Sequence, residues 1–260
     1  MRHCLVSVRA DALIDVGSDV IEVAPKSGRR PFLTAQWSDL LLVTYAVPTN
    51  VLEPYLHPGL APDIWSGSAH VSLVAFRFLD TRVLGVSVPG HRDFPEVNLR
   101  AYVRHGADRG VVFVREFVPS RLVAAVARVG YNEPYAAAPI TVRVEREVER
   151  SSVRAQFDWK FGGMMHRLAM TGSETTLLPA AGSDAYLTKE HEWGFGRTRG
   201  GRLLRYRVSH PEWPVRTVTA VDLSVDFGRL YGPGWEFLNA ATPTSTLFAV
   251  GSPVAVGWPD

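Results

Sequence analysis

The stretch Glu96-Val97-Asn98-Leu99-Arg100-Ala101-Tyr102-Val103-Arg104 decides the architecture. Val97, Leu99, Ala101 and Val103 alternate strictly with Glu96, Asn98, Arg100, Tyr102 and Arg104. Successive side chains of a strand point to opposite faces, so this period of two separates an apolar face from a polar one. Periodicity alone leaves two readings of the polar face open. It is the solvated side of a half-buried strand, or it lines an internal cavity in a barrel. In the second case Glu96 and Arg100, on one face, could act as proton carrier and anion anchor.

Working outward, Gly110–Phe117 reads as the hairpin partner of this strand, after a turn containing Gly106 and Asp108. Upstream, Leu40–Val47 is a buried strand ended by Pro48, and Asn50–Leu56 fits a short helix. Ser68–Phe78 is apolar on both faces and therefore central. Downstream, Ser120 is a plausible N-cap for a helix to Val129, with Gly130 suited to the position after its end. Arg121 and Arg128, seven residues apart, fall on nearly the same helical face. Thr141–Arg150, Ser152–Phe161, Leu203–Val208 and Thr246–Val250 are further strand candidates. No internal repeat or low-complexity tract interrupts the pattern. Residues 1–30 differ: their apolar residues are scattered and they close on Pro25-Lys26-Ser27-Gly28-Arg29-Arg30, which predicts a weakly ordered extension before a single domain over residues 31–260.

Composition removes several function classes. Apolar residues make up 46% and charged residues 21% of 260, which suits a globular chain with one sizeable core. The formal charge is only +2, so nothing calls for nucleic acid as a partner. Lysine occurs only at Lys26, Lys160 and Lys189, so nearly all positive charge is arginine, which cannot act as an amine nucleophile. Cys4 is the sole cysteine, so no internal disulfide forms and a reducing, cytoplasmic setting is the expectation. The longest apolar run, Leu40–Val47, is too short for a membrane span, and Arg9, Asp11 and Asp15 break any leader-like segment. The phosphate-loop and nucleophile-elbow signatures are missing, and His191-Glu192 lacks the second histidine of a helical zinc motif. Gly194-Phe195-Gly196-Arg197-Thr198-Arg199-Gly200 has the wrong spacing for a dinucleotide fingerprint. No metal or cofactor is expected.

Several segments carry a family resemblance. The most specific is Phe94-Pro95-Glu96-Val97-Asn98-Leu99-Arg100-Ala101-Tyr102-Val103, followed by Gly110-Val111 and Phe113. Trp37-Ser38-Asp39-Leu40-Leu41, Pro58-Gly59-Leu60, Trp65-Ser66-Gly67, Arg128, Pro134-Tyr135, Tyr186-Leu187-Thr188-Lys189-Glu190 and His210-Pro211-Glu212-Trp213-Pro214 come in the matching order. So does the closing Ser252-Pro253-Val254-Ala255-Val256. Together they resemble the DUF2071 branch of the acetoacetate decarboxylase-like superfamily. The resemblance implies an α+β fold, mainly antiparallel β: an acetoacetate decarboxylase-like barrel enclosing a pocket, with a few peripheral helices. It also places Glu96 where the decarboxylases carry a pocket glutamate. Those enzymes form a Schiff base on a lysine after a helix. The corresponding stretch here, Gly130-Tyr131-Asn132-Glu133-Pro134-Tyr135-Ala136, has tyrosine and alanine at the two lysine positions. A phenol forms no imine.

The implied function is a small-molecule pocket for a carbonyl- or carboxylate-bearing compound, worked by non-covalent acid–base chemistry of the isomerase, dehydratase, cyclase or lyase type. Glu96 and Tyr135 are the expected catalytic residues, with Asn98, Arg100 and Arg128 binding the substrate. For Arg128 a structural role pairing with an acid of the sheet is the competing reading. A non-catalytic metabolite-binding or carrier protein is the alternative for the whole chain. The expected partner is a small molecule, with neither membrane nor nucleic acid, and a homo-oligomer is left open.

Overall fold

The alternating stretch at Glu96 is a central strand in the computed structural model, which describes residues 30–260. The extension expected over residues 1–30 lies almost wholly outside the described residues. In chain order the strands and helices are β1 (Leu33–Val47), β2 (Ala61–Pro62), β3 (Ala69–Val83), β4 (Phe94–His105) and β5 (Asp108–Val118). Then come α1 (Arg121–Tyr131), β6 (Tyr135–Ala137), β7 (Ile140–Glu147), β8 (Ser152–Phe161) and β9 (Met164–Leu177). The rest are α2 (Asp184–Lys189), β10 (Trp193–Arg197), β11 (Leu203–Ser209), β12 (Val215–Ser224), α3 (Phe227–Tyr231), β13 (Ser245–Ala249) and β14 (Pro253–Val256). Asn50–Leu56, expected as a short helix, forms two consecutive 3-10 turns instead, with Pro54 inside the second.

Seven strands close into a barrel in the order β14-β11-β10-β5-β4-β3-β1, with β1 returning to β14. All neighbours are antiparallel except β10 and β5. Closure eliminates the free edges that an open sheet would expose. The sheet also branches at β1. The first half of this strand pairs with β14 (Leu33 opposite Val256), and its second half pairs with β13 (Leu40 opposite Ala249). Beyond β13 the sheet continues as an arm, β12-β9-β8-β7.

The change of partner occurs at Trp37–Asp39. There the β1–β3 register shifts and Asp39 adopts a left-handed φ of 54°. Gly251, between β13 and β14, crosses directly over this point. A Cβ on Gly251 would lie 2.0 Å from the Trp37 carbonyl oxygen, so no other residue fits without displacing the backbone.

This arrangement puts the main core outside the barrel. Val97, Leu99 and Ala101 on the apolar face of β4 are fully buried in one cluster with Val153, Ala155, Phe157 and Trp159 of β8 and Leu168 and Met170 of β9. The opposite face of β4 looks into the barrel. α1 begins at Ser120, whose hydroxyl accepts the Val123 N–H at 3.3 Å. It runs past Gly130 and ends with Asn132 in the left-handed conformation, φ 53°, in place of the glycine stop expected from sequence.

Candidate functional site

Glu96, Asn98 and Arg100 line a cavity of about 230 Å³ inside the barrel, and all seven barrel strands contribute to its wall. Glu96 and Asn98 are 2% exposed and Arg100 is 9% exposed, so the cavity-lining reading of the polar face holds and the solvated reading falls. Most of the wall is aromatic or aliphatic.

Glu96 is the hub. Its Oε1 accepts from Asn98 Nδ2 at 2.9 Å, and its Oε2 accepts from the Tyr135 hydroxyl at 2.8 Å. Tyr135 reaches this position because Asn132 turns the chain after α1 and β6 then adds alongside β5, with Tyr135 opposite Glu116. Two further carboxyls join that sequence reading did not single out. Glu116 faces Asn98 across the β4–β5 ladder. It points inward because the register slips between Leu99 and Arg100: the inward residues of β5 step from Phe113 to Glu116, past Val114. Arg115 is thereby sent outward, where its guanidinium donates to the Leu230 carbonyl of α3. Glu133, in the return from α1, accepts the Tyr206 hydroxyl at 3.0 Å. Gly194 of β10 admits that tyrosine, since a Cβ there would lie 2.2 Å from the ring.

Three buried carboxyls beside one another cannot all ionise. Burial pushes Glu96 up to about 7, against the opposing pull of the Asn98 and Tyr135 hydrogen bonds and the Arg100 charge. Burial pushes Glu133 up to about 8, with Tyr206 pulling down and the Glu96 charge pushing up. Glu116 is raised well above the usual carboxylate range by burial and by the charges of Glu96 and Glu133. Near neutrality the cluster therefore holds protons that ordinary glutamates would have lost.

Arg100 flanks the cluster. One terminal nitrogen donates to the Thr188 carbonyl at 3.0 Å, and the guanidinium lies 5.5 Å from the Tyr102 ring. Its Nε–H meets no acceptor, and no carboxylate forms an ion pair with it among the described residues. His191 is buried nearby against Tyr102, with both ring nitrogens unpartnered. Burial and the Arg100 and Arg109 charges hold it well below the usual histidine range, so it is a neutral imidazole at pH 7. His210 packs against Trp37 and Trp213, and it also lines the cavity.

Arg128 stands apart. It is exposed on α1 and does not line the cavity, to which the helix presents Leu122, Val123, Val126 and Ala127 instead. Of the two described lysines, Lys160 is exposed. Lys189, at the end of α2, is buried in the cavity wall, where its ammonium donates to Glu190. Among the described residues no group of three or more His, Cys, Asp or Glu side chains is arranged to hold a metal ion.

Comparison with solved structures finds the same fold. An acetoacetate decarboxylase-like enzyme from Sphingomonas wittichii RW1 superposes with a TM-score of 0.60 at 13% identity, covering 88% of this chain and 93% of that one. The enduracididine biosynthesis enzyme MppR complexed with pyruvate gives 0.62 at 14% identity, covering 89% and 91%. Acetoacetate decarboxylase from Legionella pneumophila gives 0.59 at 13% identity, covering 98% and 97%. Among curated sequences, the uncharacterized protein YqjF of Bacillus subtilis is 32% identical over 100 residues, 38% of this chain and 41% of that protein. Residues 34–253 match the profile of DUF2071, described as an uncharacterized conserved protein. With a match over that length and this barrel beneath it, the chain belongs to the DUF2071 family and has the acetoacetate decarboxylase-like fold.

Proposed function

We propose that the barrel binds a small carbonyl- or carboxylate-bearing molecule and moves a proton on it without a covalent amine intermediate. The observation that carries this reading is Glu96: a buried carboxyl raised to about 7, hydrogen-bonded to Tyr135, beside an arginine with no carboxylate of its own. A general acid–base group works best with a pKa near the ambient pH. Glu96 takes or returns the proton, and the single Tyr135 O–H, which Glu96 accepts in this structure, turns to the developing enolate oxygen as that charge forms. Asn98 and Arg100 hold the anionic or carbonyl end. Glu116 and Glu133 act as a proton store for Glu96. Tyr135 and Ala136 at the lysine positions of the decarboxylases, with Lys189 tied to Glu190, support non-covalent chemistry over an imine.

The test is exchange of the α-hydrogens of 2-oxo acids, pyruvate included, with solvent deuterium, followed by proton NMR. Wild type should accelerate exchange, and Glu96→Gln should slow it by about a hundredfold or more. Binding of these acids without any exchange would make the protein a carrier and end the catalytic reading.

A further inference from the structure

We propose that the natural ligand is a monocarboxylic oxo acid with an extended apolar tail, bound with its carboxylate on Arg100 and its tail leaving the barrel between α1 and the loop joining β3 to β4. The idea rests on the pocket function above and specifies its substrate class.

Two independent observations meet here. The first is at depth: the Arg100 guanidinium is nine-tenths buried, lines the cavity, lacks a carboxylate partner, and leaves its Nε–H without an acceptor. A buried cation in this state calls for an anion, and a planar guanidinium matches a carboxylate in two-pronged fashion. The second is at the opposite end of the exposure scale. Val88 from the β3–β4 connection and Leu122 and Val126 from α1 line the same cavity, yet they are 40%, 53% and 44% exposed. One continuous apolar wall thus runs from a sealed charge to open water. Such a wall, rimmed by exposed aliphatic side chains, is what an apolar chain would cover. A two- or three-carbon acid would leave it bare.

The experiment is calorimetric titration of straight-chain 2-oxo acids from pyruvate to 2-oxodecanoate, beside decan-1-ol. Affinity should rise about fourfold for each added methylene until the cavity is filled. Decanol should bind at least tenfold more weakly than 2-oxodecanoate, because it offers Arg100 no charge. Val126→Asp, at a half-exposed helical site that tolerates a carboxylate, should flatten the chain-length gain while the circular dichroism spectrum stays unchanged. Affinity independent of chain length would overturn the tail, and equal binding of alcohol and acid would overturn the head. Loss of a concentration-dependent dimer in Val126→Asp, without any chain-length effect, would assign the apolar rim to a second copy and likewise overturn the proposal. Pyruvate exchange without chain-length dependence would sink this inference alone; tight binding of tailed acids without exchange would sink the acid–base chemistry and leave this inference standing.

Discussion

The molecule buries carboxylates in two contrasting ways, towards the two ends of the same strand pair. Asp63, just after β2, is buried and caught between Arg104 Nε at 2.6 Å and Arg109 Nε at 2.5 Å. Its charge is satisfied twice over by arginines that flank the β4–β5 turn. Glu96, Glu116 and Glu133 are equally buried, but their contacts are to Asn98, to two phenols and to one another; among the described residues none forms an ion pair. A carboxylate that only supports the fold is given cations. A carboxyl that must change protonation is left without them and surrounded by neutral hydrogen-bond donors.

Asp63→Asn should have the largest effect on stability. It leaves two guanidiniums facing a neutral amide, and breaking a buried pair in this way costs about 3–5 kcal/mol. The lower end is expected, because the Arg104 side chain is 45% exposed and can turn to water. Urea unfolding measures this directly. Glu96→Gln, by contrast, should lose proton exchange while its unfolding free energy at pH 6 changes by less than about 1 kcal/mol, since there a neutral amide replaces an acid that is mostly protonated. If Glu96→Gln unfolds as readily as Asp63→Asn, the contrast between the two sites is wrong.

The pH dependence of stability sharpens the contrast further. Glu96 and Glu133 are raised from 4.5 to about 7 and about 8 in the folded protein. Below 4.5 both groups are protonated, folded or unfolded, and their contribution is intact. As pH rises from there the unfolded chain loses its protons first, so stability declines through 7 to 8. The melting temperature should therefore fall between pH 5 and pH 8, and Glu133→Gln should flatten the fall. A melting temperature that rises over this window would contradict the shared-proton cluster. The smallest effect expected is that of Arg128→Ala: within about 0.5 kcal/mol in stability, as for other exposed substitutions, and no change in exchange rate.

Much of this was legible in the sequence where physics acts locally. The strict alternation of β4 separated the cavity face from the core face, and Ser120 marked the start of α1. β8 was read at its observed ends, Ser152 and Phe161. Three of the segments missed are ones where the alternation is broken or brief. β10 has five residues, two of them glycine, and β14 begins on a proline. In β9 the buried residues Leu168, Ala169 and Met170 are consecutive, so no period of two shows.

The site was half legible for related reasons. Glu96, Asn98 and Arg100 follow from one strand. Glu116 depends on a bulge that reverses the phase of β5, and Glu133 and Tyr206 meet only through the return of the chain after α1. Seven-residue spacing put Arg128 on a helical face without saying which face packs, and α1 turns Leu122 and Val126 to the barrel.

The divided allegiance of β1 has a consequence for how the protein comes into being. Leu33 near the start of the described chain pairs with Val256 near its end, and Leu40 pairs with Ala249. Contacts of such sequence separation form late, because a long loop must close before any gain is realised. During synthesis the barrel cannot close until β14 has left the ribosome. In the unfolded chain Glu96, Glu116 and Glu133 stand in water, ionised near neutrality like ordinary glutamates. Folding takes them out of solvent and raises their affinity for protons, so folding of this protein near neutrality includes uptake of protons, and a stopped-flow refolding trace with a pH indicator would see that uptake.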